Sequence, residues 1–340
     1  MRRRIAIFLL LVAACFIGGG GYVAWVALSA RSPSAGTSPR QLATVSGREV
    51  VFFRNLSIDN DAASYASLAL ARLSAPRAPR VITSLRCLRL HFAGGRGLCI
   101  ASGGGFAVAA TAKIFDPDFH VLHEIPLAGL PSRARVSEDG KLGAVTTFVG
   151  GDSYAAMGAF STRTILINMT RGRVIAHLER FSVMRDGRRI DSPDFNFWGV
   201  TFARDSNRFY ATLATGGKTY LIHGDVRSRK ARVLHENVEC PSLSPDGTRI
   251  AYKKRVGGAG HWRLHVLDLA TMRETPLAAY SIDDQVEWLD NDHILYGFRT
   301  RIWVVPADGS GSPRVYLPDA DSPAVVRKPW RPQARSRPVT

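Results

Sequence analysis

A short strand–turn–strand unit returns along this chain roughly every 45 residues, the period of a propeller blade. Its clearest copy is Cys240–Tyr252, CPSLSPDGTRIAY. Pro245 has the φ that position i+1 of a type I turn needs. Asp246 tolerates the bridge or left-handed region, and Gly247 takes positive φ without steric cost. Ile250 to Tyr252 then start a second strand. Related units begin at Val136-Ser137-Glu138-Asp139-Gly140, at Phe202-Ala203-Arg204-Asp205-Ser206-Asn207 and at Trp288-Leu289-Asp290-Asn291-Asp292. Each turn is followed by a β run, and each unit ends in a further strand pair, as in Trp262–Leu269 with Glu274–Leu277. Val50–Arg54 with Ala66–Leu73, and Leu85–Phe92 with Leu98–Ser102, read as two earlier, more divergent units.

One four-stranded sheet cannot bury both of its faces. Six packed around an axis can, and little sheet edge is left exposed. The expected fold is therefore all-β, a six-bladed propeller over residues 48–327. An early strand near Val50–Phe53 is expected to complete the last blade and close the ring.

The ends have a different character. Arg2–Arg4 precede an apolar run, Ile5–Leu28, which as a helix would span ~36 Å against a bilayer core of ~30 Å. Residues 1–30 are read as a transmembrane signal anchor with the propeller on the extracytoplasmic side. Cleavage after Leu28-Ser29-Ala30, or lipidation at Cys15 within Val12-Ala13-Ala14-Cys15, would give the same compartment. Residues 31–47, rich in Ser, Pro, Ala and Gly, read as a flexible linker, and residues 328–340 as a basic disordered tail.

The formal charge of +17 needs dissection. Ten of the 45 Lys and Arg residues lie in residues 1–40 and 327–340, which hold no acid; the body keeps 35 bases against 28 acids. No basic stripe with interleaved aromatics runs through that body, so a nucleic-acid partner is not expected. Basic ends suit an anionic membrane or envelope polymer.

Four cysteines are present and no CxxC. Cys87 and Cys99 flank a Gly-rich hairpin and form a candidate disulfide in an oxidising compartment; the alternative is two free thiols. Cys240 then reads as a small buried residue.

Catalytic motifs are missing. There is no GxSxG elbow and no HExxH, and Gly103–Gly105 lacks a Walker lysine. His120 and His123 lie in a loop beside Asp116 and Asp118 and read as ordinary surface or core residues. No metal or cofactor is expected. One constellation stands out. In propellers, the loop before each innermost strand opens at the channel mouth, and here such loops carry Asp194, Asn196 and Trp198; Glu239; and Asp283, Asp284, Gln285, Glu287 and Trp288. Arg133 and Arg135 occupy the matching place in an earlier blade. These residues read either as an acidic funnel that focuses cationic groups or as ties between blades.

SPDGTRIAY followed by RLHVLDLATMRETPL resembles the repeat of TolB-type propellers, also called WD40-like or PD40 repeats. The resemblance covers residues 136–320 well and 48–135 weakly. It implies a six-bladed propeller and a periplasmic protein that contacts envelope partners. TolB proteins also carry an N-terminal α/β domain, and related propellers of prolyl-oligopeptidase-like enzymes precede a hydrolase domain; neither is expected here. The expectation is a monomeric, non-catalytic binding or scaffold module that meets an envelope protein or ligand at the channel mouth. The alternatives are a small-ligand or glycan-binding propeller, or a hydrolase or lyase using mouth carboxylates.

Overall fold

The computed structural model describes Cys15 and residues 39–58, 64–103, 110–154, 159–258 and 260–331. The expected anchor, apart from Cys15, and residues 332–340 lie outside the described residues. Among the described residues no helix is long and apolar enough to cross a membrane.

Six sheets follow one another along the chain. A short helix, α1 (Pro39–Ala43), leads into β1 (Arg48–Asn55), β2 (Ser67–Arg72) and β3 (Val81–Arg86) of blade 1. Blade 2 holds β4 (Arg89–Ala93), β5 (Arg96–Ser102), β6 (Ala110–Phe115) and β7 (Val121–Leu127). Blade 3 holds β8 (Leu130–Val136), β9 (Leu142–Gly150), β10 (Ser161–Asn168) and β11 (Arg173–His177). A hairpin, β12 (Ser182–Arg185) and β13 (Arg188–Ile190), precedes blade 4, which holds β14 (Asn196–Phe202), β15 (Arg208–Thr215), β16 (Lys218–Asp225) and β17 (Lys230–Glu236). Blade 5 holds β18 (Glu239–Leu243), β19 (Arg249–Arg255), β20 (Trp262–Asp268) and β21 (Glu274–Tyr280). Blade 6 holds β22 (Glu287–Trp288), β23 (His293–Phe298), β24 (Arg301–Pro306) and β25 (Arg314–Pro318), and β26 (Ala320–Trp330) ends the described chain.

β26 closes the ring. It lies antiparallel to β1, with Val51 opposite Val325 and Phe52 opposite Ala324, and forms the innermost strand of blade 1. The expected pairing of the chain's two ends is present, but its direction differs: the last strand completes the first blade, and blade 6 has four strands of its own. Each inner strand packs against the next around the axis: β26, β4, β8, β14, β18, β22 and back to β26.

Strand alternation builds the core. Val50 and Phe52 face blade 2 and pack with Leu90, Phe92 and Phe115, whereas Val51 and Phe53 face blade 6 and pack with Leu295, Ile302 and Val304. Equivalent clusters fill the other four blade interfaces. The turn signature is a hydrogen-bond device. In blade 5, Ser244 O accepts from Gly247 N (2.9 Å) and Asp246 Oδ1 from Thr248 N (3.0 Å), with Gly247 at φ +78°. Blade 3 repeats it: Gly140 N donates to Ser137 O (2.8 Å) and Lys141 N to Asp139 Oδ1 (3.0 Å). Partial burial works against the charge of Asp139 and Asp246, yet hydrogen bonds from Lys141 N, Ser206 and Ser137 to Asp139, and from Ser244 Oγ and Thr248 to Asp246, hold each pKa at about 2.

Four details differ from the sequence expectation. Leu85–Phe92 is not one strand; it is the end of β3, a bend at Cys87 and Leu88, and the start of β4, so it joins two blades. The propeller does not begin at residue 48, because Leu42 and Val45 already pack on the blade 1 core. It does not end at 327, because β26 runs to Trp330, whose ring lies edge-on to Phe52 (6.3 Å) and beside Phe119 (5.9 Å). Finally, the β12–β13 hairpin extends blade 4 outward: β12 runs parallel to β17, giving a six-stranded sheet.

Candidate functional site on the propeller axis

The two ends of the axis are built differently. At the N-terminal ends of the inner strands, where the sequence places the mouth, aromatic packing and ion pairs occupy the space. The connection after β9 brings Tyr154 against the inner strands of blades 3, 4 and 5, where it is buried, stacks on Trp198 (ring centroids 4.7 Å) and hydrogen-bonds Ser132. Lys253, fully buried, holds Asp283 Oδ1 at 2.6 Å and lies 4.1 Å from the Trp262 ring centroid. Arg133 also reaches Asp283 (3.3 Å), stacks over Tyr154 and donates from Nε to Cys240 Sγ at 3.4 Å. Burial opposes the Asp283 charge, but Lys253 and Arg133 outweigh it and lower its pKa. Arg255 pairs with the buried Glu239 at 3.0 Å, and Arg54 Nε donates to Asp321 at 2.7 Å.

The expected acidic funnel is therefore corrected. Asp283 and Glu239 each have a basic partner, and Glu287 lies deeper, paired with Arg135 and 3.7 Å from His91 Nε2. Burial opposes the Glu287 charge, but Arg135 and then His91 hold it at about 2. Burial, then Arg135, pushes the His91 pKa down, and His91 Nδ1 accepts the Val136 N–H at 3.1 Å. Asp284 is raised by burial; its carboxylate accepts from Gln285 N (2.9 Å) and Gly297 N (3.3 Å), and Arg89 lies near it. His91, Arg135, Asp284 and Gln285, with Arg89, Arg133 and Ser322, line a pocket of about 280 Å³, including its opening.

The other sequence-selected residues serve as ties between elements. Gln285 Nε2 donates to Val200 O and Pro241 O, joining blade 6 to blades 4 and 5. Trp288 is buried and donates from Nε1 to Ser242 O at 2.9 Å. Asn196 Oδ1 accepts from Thr162 N at 2.7 Å, tying blade 4 to blade 3. Asp194 is exposed, apart from this network, with Thr215 and Gly216 on its oxygens; those hydrogen bonds lower its pKa. Arg89, His91, Lys253 and Tyr154 were missed. A signal existed for the first two: Arg89 and His91 are polar residues at alternate positions on an inner strand.

At the C-terminal ends of the inner strands the axis opens into a bowl of about 1120 Å³, including its open mouth. All six blades line it. Ala93, Leu243 and Val326, backed by the buried Phe92, Phe202, Trp288 and Val325, form an apolar wall, and Arg204, Lys328, Arg327 and Glu138 stand around it. Arg135 and Glu287 form its floor, on the far side of which lies the smaller pocket.

No known family's sequence profile matches the chain, and no curated protein matches it in sequence. Solved structures do match. A TolB from Acinetobacter baumannii is 16% identical with a TM-score of 0.55, over 83% of this chain and 67% of that one. The fold is that of a TolB-type six-bladed β-propeller. A chain of a nidogen/laminin complex is 10% identical, with a TM-score of 0.51 over 82% of this chain and 97% of that one. At such identities the likeness shows the architecture of this TolB-like propeller and nothing of its ligands.

Cys87 and Cys99 are joined by a disulfide, with Cα atoms 5.3 Å apart. Leu90, not Cys87, stands opposite Cys99 on the hairpin; the bend at Cys87 and Leu88 brings the two sulfurs together. Cys240 is buried as a thiol. Asp116, Asp118 and His120 converge in the turn after β6, where Asp116 Oδ1 accepts the N–H groups of Asp118 and His120 at 2.9 Å each. That bonding closes the turn.

Proposed function

We propose that this chain is a non-catalytic binding or scaffold module on the extracytoplasmic side of the cytoplasmic membrane, held there by residues 1–30, and that it takes an envelope protein in the axial bowl. The carrying observation is the bowl: an apolar-walled depression to which every blade contributes, at the one end of the axis that is not filled by Tyr154 and ion pairs. Six-fold convergence of side chains on one concavity suits recognition. The disulfide favours an oxidising compartment. Lys253 and Arg133 lower the Asp283 pKa and burial raises that of Asp284, the divergence an acid–base pair would need. Against catalysis, Asp283 is locked between Lys253 and Arg133, and Asp284 is bonded to backbone N–H groups.

Site-specific photo-cross-linking in the native membrane tests this reading. A cross-linker at Arg204 or Lys328, on the bowl, should capture a partner that one at Asp194, by the opposite end, does not. Adducts only from Asp194, or from neither end, would remove the bowl as the docking site.

A further inference from the structure

Three of the four cations at the bowl, Arg204, Arg327 and Lys328, make no ion pair with a carboxylate among the described residues. Arg204 donates to Pro245 O and Arg327 to Trp288 O, so both guanidinium groups are positioned by main-chain oxygens. The buried Arg135 guanidinium at the floor spends Nη1 on Glu287 and Nη2 on Ser242 and Val286, and its Nε has no partner. The Nε of Arg327 is likewise buried without an acceptor. Of the two acids that line the bowl, Glu287 is consumed by Arg135 and Glu138 stands alone. Four cations thus face two carboxylates around an apolar wall. At the opposite end, by contrast, Asp283 and Glu239 are met by Lys253, Arg133 and Arg255.

Exposed charges are usually left to solvent. Here two guanidinium groups are held over a concave surface by hydrogen bonds to protein carbonyls, which leaves further N–H donors positioned for charge-assisted contacts. An anion alone would not use the apolar lining, where Ala93, Leu243 and Val326 are only partly buried, and a purely apolar ligand would leave the cations uncompensated. We infer that the bowl binds an acidic segment of a partner protein, in which an aromatic or aliphatic side chain fills the apolar wall and flanking Asp or Glu carboxylates meet Arg204, Arg327 and Lys328. This rests on the proposed docking at the bowl and adds the chemistry of what docks. A protein segment fits better than a small molecule because the concavity is wide and open, lined from Gly94 across to Lys328, and does not enclose its occupant.

The test is an unbiased selection. A library of random twelve-residue peptides is displayed and selected on the full-length chain in lipid nanodiscs. Enriched peptides are resynthesised with a photo-cross-linker, and adducts are located by mass spectrometry. The expected result is a pool with net negative charge and at least one large apolar residue, cross-linking to bowl residues. Binding should fall at least tenfold in the R204E/K328E double variant and on raising salt from 0.05 to 0.3 M. Both substitutions are at exposed positions, and an unchanged melting temperature would show that the ring is intact. Neutral or basic peptides that cross-link in the bowl would overturn the acidic-segment inference and leave docking at the bowl standing. Cross-links elsewhere, or no enrichment at all, would overturn both.

Discussion

Trp330 decides where this propeller ends. It is 3% exposed, packs against Phe52 and Phe119, and its carbonyl oxygen accepts the Gly47 N–H at 2.6 Å. A buried Trp removes ~200 Å² from water, which at ~25 cal/mol/Å² is worth about 5 kcal/mol. Compactness of the unfolded chain reduces that to about 3–4 kcal/mol, near the range measured for Trp-to-Ala changes in cores. Against a total stability of ~5–15 kcal/mol, such a loss lowers the melting temperature by on the order of 10 °C. Three chains should be melted beside the full-length protein in the same detergent: one ending at Arg331, one ending at Arg327, and full-length Trp330→Ala. The first should melt with the parent. The other two should both fall by about that amount, the chain ending at Arg327 further because it also loses the outer part of β26. If the chain ending at Arg327 melts within 2 °C of the parent, then Trp330 does not seal the blade 1 core.

Three further outcomes follow from the same structure. Glu287 is held at about 2 in the folded ring, below an ordinary carboxylate. Its contribution is therefore present above pH ~4.5 and is lost as pH falls toward 2, about 3 kcal/mol in all. His91, also lowered, adds a loss in the same direction below pH ~6.5; urea midpoints from pH 7 to 3 should fall less steeply in Glu287→Gln than in the parent, and parallel curves would refute the linkage. Reducing the Cys87–Cys99 bridge, which closes a short loop, should cost about 3 kcal/mol; a melting temperature unmoved by dithiothreitol, with reduction confirmed by mass spectrometry, would count against a stabilising role. Deleting residues 1–30 should move the protein from the membrane pellet to the supernatant, and a truncated chain that still pellets would remove the anchor.

The fold was legible because it is encoded locally and repeatedly. Ser137 to Gly140 and Ser244 to Gly247 specify their turns within four residues, and alternation in Val50–Phe53 specifies two faces. The site was legible only as a set of residues near the axis. Which carboxylate meets which base depends on contacts such as Arg133 with Asp283 and Arg135 with Glu287, which join blade 3 to blade 6 across the channel. Nothing local in either segment encodes them. Tyr154 was overlooked for the same reason, since its partners Trp198, Arg133 and Lys253 come from three blades. β26 was cut short because Pro323, Pro329 and the bases between them look like a tail, although as an inner strand it pairs along one side only, with β1. A Pro is tolerated on such an edge.

The pairing of β1 with β26 also sets an order of assembly. β26 follows the other strands of the ring in the chain, so blade 1 lacks its innermost strand until blades 2 to 6 have been synthesised. Until then the backbone of Val50, Val51, Phe52 and Phe53 is an open apolar edge, of the kind that recruits other chains. Joining partners so far apart in sequence is a slow step, and exposure grows with the time spent waiting. The ring that is most shielded from aggregation once closed is thus most vulnerable just before its last strand arrives. Growing this protein more slowly, or with a holding chaperone in the compartment where it folds, should raise the yield of closed rings more than any change to the finished structure.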